Sequence, residues 1–195
     1  RLPGRAADEP GFDPRGNYWS GSVWAPMEMM VVYGLEKYGY HRLARDIGLN
    51  HVESVAAVWE GTGTIWENYP ADSLTEGDSD HPEFVGWSGI GPIRFLLRYG
   101  VGLAPDAPNN TLVWRLDESM LSRDGVGCEQ FRFAEVTTSL RAEMQGDGLH
   151  ITAETDNPDT LLVIWPGGEQ RQCIDGSAAF VLKPGGGWSA ADAEC

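Results

Sequence analysis

Trp66-Glu67-Asn68-Tyr69 sets a single carboxylate between two aromatic rings, inside the stretch Gly61-Thr62-Gly63-Thr64-Ile65-Trp66-Glu67-Asn68-Tyr69-Pro70. A carboxylate can take a proton from water or give one to a leaving group, and flat ring faces suit the C–H surfaces of a sugar. Together they are the equipment of glycoside hydrolysis. Alone, the tetrapeptide describes equally well a surface acid beside core aromatics. The reading therefore depends on what else the chain brings to the same place. The further candidates are Trp19 and Trp24, ahead of a first helical stretch, and Trp87, ahead of a third.

Residues 1–17 read as a loop punctuated by Pro3, Gly4, Pro10, Gly11, Pro14 and Gly16. Val23, Met27, Met30, Val31, Gly34, Leu35 and Tyr38 then recur at three- and four-residue steps, which predicts a helix near 22–39. Ser22 is its expected N-cap, Pro26 fits its first turn and Gly39 its C′ position. A second helix is predicted near 41–60. Its apolar set is Leu43, Ile47, Val52, Val55, Val58 and Trp59, opposite Arg42, Arg45, Asp46 and Glu53, with Trp59 expected in the core and Gly61 and Gly63 as the stop. The short connection makes the two an antiparallel hairpin. The segment from Gly61 to Val85 carries Asp72, Glu76, Asp78, Asp80 and Glu83 without periodicity. Irregular loops of that length in compact domains are usually functional. Ser88 is the expected cap of a third helix near 88–100, with Ile90, Ile93, Phe95, Leu96, Leu97 and Tyr99 as its apolar residues.

If the second helix runs antiparallel to both others, the first and third run parallel. Trp19, Trp24, Trp66, Glu67, Tyr69 and Trp87 then fall on one rim. Glu67 is expected in a concavity there, partly exposed, with Trp19, Trp24 and Trp87 nearby.

Near Pro105 to Asn110 the pattern changes from helical to period two. Strands are predicted around Leu112–Leu116, Gln130–Ala134, Val136–Met144, Leu149–Thr155, Thr160–Trp165, Arg171–Ile174 and Ala178–Leu182, with a frayed tail after Lys183. The fold class is α+β: a helical part over 1–105, then a small antiparallel β-sandwich over 110–185. Trp114, Phe131, Phe133, Trp165 and Phe180 are the sandwich's expected core aromatics.

Fourteen basic against 29 acidic side chains give a formal net charge of −15. That balance repels phosphate backbones and argues against a nucleic-acid partner. No apolar run is long enough to span a membrane. Cys128, Cys173 and Cys195 are too scattered for a disulfide framework or a zinc site, and His41, His51, His81 and His150 for a metal cluster. The chain opens at Arg1 within a loop, so a piece of a longer, cytoplasmic protein is expected.

Four ordered blocks carry a family resemblance: Asn17-Tyr18-Trp19-Ser20-Gly21-Ser22-Val23-Trp24-Ala25-Pro26, Gly34-Leu35-Glu36-Lys37-Tyr38-Gly39-Tyr40, Trp66-Glu67-Asn68-Tyr69 and Phe84-Val85-Gly86-Trp87-Ser88. Over roughly residues 12–100 the chain resembles the mannosylglycerate/glucosylglycerate hydrolase-like branch of glycoside hydrolase family 63, and more distantly it is similar to the trehalases of family 37. The resemblance implies the C-terminal part of an (α/α)₆ toroid, about three helices of it. It implies Glu67 as the general base of an inverting mechanism, and Trp19, Gly21, Trp24, Glu28, Trp66, Tyr69 and Trp87 as the substrate-binding set. The relatives' general acid is an aspartate in the barrel's first half, which has no counterpart here. Ser20 stands where this branch usually carries Arg, and Glu28 where it carries Asn or Gln; both departures bear on sugar recognition.

The implied substrate is a small α-glucoside or α-mannoside, glycosylglycerate- or trehalose-like, hydrolysed without metal or organic cofactor. The implied partners are that carbohydrate and the missing N-terminal half of the barrel, without which no turnover is expected. The alternative is a non-catalytic carbohydrate-binding or structural module. Met29, Met30, Val31, Ile47, Phe95 and Leu96 are the residues expected to lose partners where the half-barrel is missing.

Overall fold

The computed structural model describes residues 1–78, 84–121 and 124–185. Asp80, His81, Glu83 and Cys195, named above, lie outside the described residues. The chain divides into two compact units, Arg1–Tyr99 and Gly100–Cys195.

The first unit is built on α1 (Ala25–Lys37), α2 (His41–Thr62) and α3 (Ile90–Phe95), the last running on into a π-helical turn, Leu96–Val101. Helix α1 starts later than expected, because its entry is held in an extended bridge. The Val23 N–H donates to the Tyr69 carbonyl at 2.7 Å, and the Tyr69 N–H donates back at 3.2 Å. The cap position therefore falls to Trp24, which makes no side-chain cap bond, while Ser22 is buried beside the bridge. The far end closes as the sequence indicates. Gly39 sits at φ +84°, the Tyr40 N–H reaches the Leu35 carbonyl and the Gly39 N–H reaches that of Glu36, both at 2.9 Å. That pairing is a Schellman motif.

Helix directions follow from the contacts. Along α1 and α3, a Cβ on Gly91 would touch Ala25, Arg94 bonds Tyr33, and Arg98 bonds Glu36, so the two run parallel. Helix α2 meets Gly91 at His51 and Tyr99 at Gly48, so it runs antiparallel to both. Its buried face is Ala44, Gly48, His51, Ser54, Val55 and Val58, with Leu43 and Trp59 exposed, contrary to expectation. The reason is close approach. A Cβ on Gly48 would lie 2.4 Å from Tyr99 Cδ2, so only the small-residue stripe lets α3 in. Phe95 is fully buried, Met29 and Ile47 are partly buried, and Met30, Val31 and Leu96 are exposed.

The second unit is a two-sheet sandwich. One sheet runs β1 (Leu103–Asp106), β2 (Thr111–Arg115), β6 (Asp159–Trp165), β7 (Gly168–Ile174). The other runs β3 (Val126–Phe133), β4 (Val136–Gln145), β5 (Gly148–Thr155), β8 (Ser177–Leu182). Their inward residues share one core, in which Trp114 and Trp165 are buried and Phe131, Phe133 and Phe180 pack partly buried against it. All strand pairs are antiparallel except β2–β6, which is parallel with Thr111 opposite Thr160.

Two short elements escaped the sequence pattern, β1 and a single helical turn α4 (Glu118–Leu121). Pro105 had the look of a boundary, but β1 is an edge strand, where a missing N–H is tolerated. Cys128 is a free thiol and Cys173 is disulfide-bonded, a pairing that the wide cysteine spacing hid.

Candidate active site

The site residues gather where α1 and α3 begin. Asn17 and Tyr18 adopt positive φ, 39° and 55°, which kinks the chain into a short 3₁₀ turn, Tyr18–Ser20. Non-glycine residues held in this region store strain, and such positions concentrate at functional sites. The kink places the Tyr18 ring edge-on to Trp24 at 4.9 Å and stacks Trp19 on Trp24 at 4.1 Å, 14° from parallel. Trp87 meets Trp24 edge-on at 6.1 Å. Trp24 is fully buried, whereas Trp19 and Trp87 are 49% and 48% exposed. The result is an aromatic ledge: a buried ring at the back and two half-open rings in front.

Glu67 is partly buried, and the backbone around it is tied on both sides. Its carbonyl accepts the Ser88 hydroxyl, and its Cγ lies 3.5 Å from where a Cβ on Gly86 would stand. Gly86 has φ +53°, so it makes the turn that a side chain there would resist. One residue on, the Asn68 amide donates to the Asp78 carbonyl at 3.1 Å, and Tyr69 is bridged to Val23, next to Trp24. Glu67 is thus joined to the ledge at two points: through the Gly86–Ser88 turn to Trp87, and through Tyr69 and Val23 to Trp24.

The other candidates sit differently. Tyr69 is 2% exposed, and its hydroxyl accepts the Trp66 N–H at 2.9 Å. Burial raises its pKa, the Trp66 bond only partly opposing this, so the phenol stays neutral and is no acid–base group at ordinary pH. Trp66 leans on the Val23–Val55–Val58–Tyr69 cluster and donates its indole N–H to Thr62 at 3.1 Å. Gly21 is buried because the Asp13 carbonyl occupies its side-chain space: a Cβ would be 2.0 Å away.

Glu28 does not face a rim at all. It is 0% exposed, accepts the Leu2 N–H at 2.5 Å, and pairs with His51 Nδ1 on α2. It fastens α1, α2 and the N-terminal segment together. Trp24, Tyr69, Gly21 and Glu28 therefore offer a ligand no surface, whereas Trp19, Trp66, Trp87 and Glu67 do.

Sequence reasoning missed three residues of this arrangement. Ser88 was expected to cap α3, but Gly89 holds the cap position and the Ser88 hydroxyl goes to Glu67 instead. His51 looked like one of four scattered histidines. Its place in the series Ala44, Gly48, His51, Val55, Val58, at three- and four-residue steps, was the signal that it faces inward. Gly86 entered only as a member of the Phe84–Ser88 block, with no role of its own.

A depression of about 630 Å³ lies elsewhere, on β3, β4, β5 and β8, lined by small and polar side chains such as Ser139, Arg141, Thr152 and Glu154. It has no aromatic lining, so nothing there could stack on a sugar face. Among the described residues no three His, Cys, Asp or Glu side chains gather as a metal ion requires, and no helix is long and apolar enough to cross a membrane.

Of the comparisons with known proteins, the family model falls within the first unit. The trehalase family model matches residues 15–99. The chain is 30% identical over 102 residues to a periplasmic trehalase of Pseudomonas aeruginosa, covering 50% of this chain and 17% of that protein. It is 30% identical over 83 residues to alpha-glucosidase 2 of Arabidopsis thaliana, covering 37% of this chain and 10% of that protein. An uncharacterized protein of Borreliella burgdorferi is 27% identical over 128 residues, covering 59% of this chain and 27% of its own length. The chain thus spans 10% to 27% of the length of these relatives. No solved structure matches it significantly. These matches support a distant glycosidase-like relationship.

Proposed function

We propose that the first unit is the base-bearing part of an inverting α-glycosidase, and that the parent protein hydrolyses a small α-glucoside or α-mannoside of the trehalose or glycosylglycerate kind. The single observation that carries this reading is the fastening of Glu67, a half-buried residue, to an aromatic ledge at two points. The matches to trehalase and alpha-glucosidase sequences support it at the level of reaction type. The family 63 branch is our finer reading, on the four sequence blocks.

In this reading Glu67 takes a proton from water as the water oxygen bonds to the anomeric carbon. The glycosidic C–O bond breaks on the opposite face, and the leaving oxygen takes its proton from an acid in another segment of the parent. An inverting pair stands roughly 6.5–9.5 Å apart to leave room for that water. Trp19 and Trp87 supply the sugar-facing surface, Trp24 backs them, and Trp66 and Tyr69 keep the Glu67 backbone in place. Glu28, buried against His51, contributes through the packing of α1 rather than by touching sugar. The partner is then a small carbohydrate, and further helical segments of the parent complete the domain.

The test is Glu67→Gln in the full parent chain. The amide keeps the side chain's size but cannot accept the proton. Turnover of a trehalose- or glycosylglycerate-type substrate should fall by roughly 10²–10⁴-fold or more with the fold intact. Full activity of the variant would remove Glu67 from the chemistry. Rescue on an activated aryl or fluoride glycoside would make it the acid instead, and a retained anomer by NMR in the unmodified parent would overturn inversion.

A further inference from the structure

We propose that Ser88 is a positioning residue for Glu67, and that one turn, Gly86-Trp87-Ser88, sets the spacing between the carboxylate and its aromatic wall. The proposal rests on Glu67's being the base. Ser88 is 1% exposed, and its hydroxyl donates to the Glu67 carbonyl across 21 residues of sequence. Its own backbone is fixed as well: the Ser88 N–H donates to Val85 at 3.0 Å, and the Ser88 carbonyl accepts the Gly91 N–H at 3.2 Å. The anchor is therefore part of the same turn that presents Trp87 and opens α3. On the other side of Trp87, Gly86 packs beside the Glu67 Cγ, where a Cβ would also press on Phe84 at 3.0 Å.

The bond goes to the backbone carbonyl of Glu67, not to its carboxylate. It fixes the backbone from which the acid projects. Losing it should displace the base without changing the charge around it. A misplacement of about 1 Å can cost on the order of 10²-fold in rate.

The expected signature in the full parent chain follows. Ser88→Ala should lower kcat roughly 10- to 100-fold, with KM within about twofold and the acidic limb of the pH–rate profile unmoved. Ser88→Thr keeps the hydroxyl and should restore most of kcat. Gly86→Ala should lower kcat in the same way, since it strains the turn at φ +53° and crowds Phe84. A purely structural role would instead lower thermal stability, with Thr rescuing no better than Ala.

In the 195-residue chain itself, Ser88→Ala should speed amide exchange across Glu67–Tyr69 and leave the middle of α2 unchanged. Normal kcat in Ser88→Ala, or exchange unchanged across Glu67–Tyr69, overturns the proposal even if Glu67→Gln is inactive. A fully active Glu67→Gln removes the underlying reading instead, and this proposal with it.

Discussion

Glu28 and His51 show how far a single side chain can move from the role its position suggests. The resemblance implies an amide at position 28, and a carboxylate there reads as a new charge near a sugar. Burial turns it into a paired group between α1 and α2, and Leu2 supplies a further N–H. Removing one member of such a pair leaves the other buried without compensation, which typically costs about 3–5 kcal/mol. Glu28→Ala should therefore lower the unfolding free energy of the first unit by about that much, read from tryptophan fluorescence in urea. A loss below about 1 kcal/mol would mean that solvent reaches the pair.

Asp159 gives a pH-dependent counterpart in the second unit. Burial raises its pKa, and the Thr138 hydroxyl at 3.3 Å opposes that only in part. The folded state thus binds the proton more readily than the unfolded chain. The cost of burying the charged form is present above the folded pKa and disappears as pH falls below the unfolded value. Asp159→Asn should consequently gain stability relative to the native chain near neutral pH, and the difference should shrink on acidification into the carboxylate range. Urea midpoints at both pH values measure it.

Among the elements, α1 and α3 are locked side by side by a charged cluster. Arg98 reaches Glu36 at 2.5–2.9 Å, the Tyr99 hydroxyl donates to the same carboxylate at 2.9 Å, and Arg94 and Arg98 lie 5.8 and 5.7 Å from the Tyr33 ring centre. Glu36→Ala would strand a guanidinium and a phenol at once, at a cost of about 1.5–3 kcal/mol, measurable as a lower Tm.

The helices themselves were legible because Val23 to Tyr38 and the α2 segment repeat at helical spacing, and the strands because period two starts past Asn110. The face that α2 buries was not legible. Ala44 and Gly48 lose to Leu43 and Trp59 on any hydrophobicity count, and only the closeness of Tyr99 reverses the order. Likewise, Glu67 and the tryptophans stood out by residue type and spacing. Ser88 did not, because its hydrogen bond joins segments that nothing in the local sequence connects.

At the scale of the molecule, α1 and α3 are apolar on two sides. Beyond the faces they bury, α1 exposes Met27, Met30 and Val31, with Tyr38 just past its end and open space above Gly34, and α3 exposes Ile90 and Ile93, with Leu96 in the turn that follows. Helices hydrophobic all round belong in an interior. The isolated chain should therefore self-associate, and replacing Met30 and Ile93 by Glu and Lys should move sedimentation toward a monomer. A native chain that stays monodisperse at high concentration would contradict this. The sandwich carries a constraint of another kind, one of timing. Strand β2 finds its parallel neighbour only in β6, with Arg115 beside Ile164, and the turns between consecutive strands do nothing to bring them together. During synthesis β1 and β2 must wait as an unsheltered pair while four more strands are made. A nascent chain stalled after β5 should remain protease-sensitive in this unit, and one released past β7 should not. The vulnerable interval is written into the strand order.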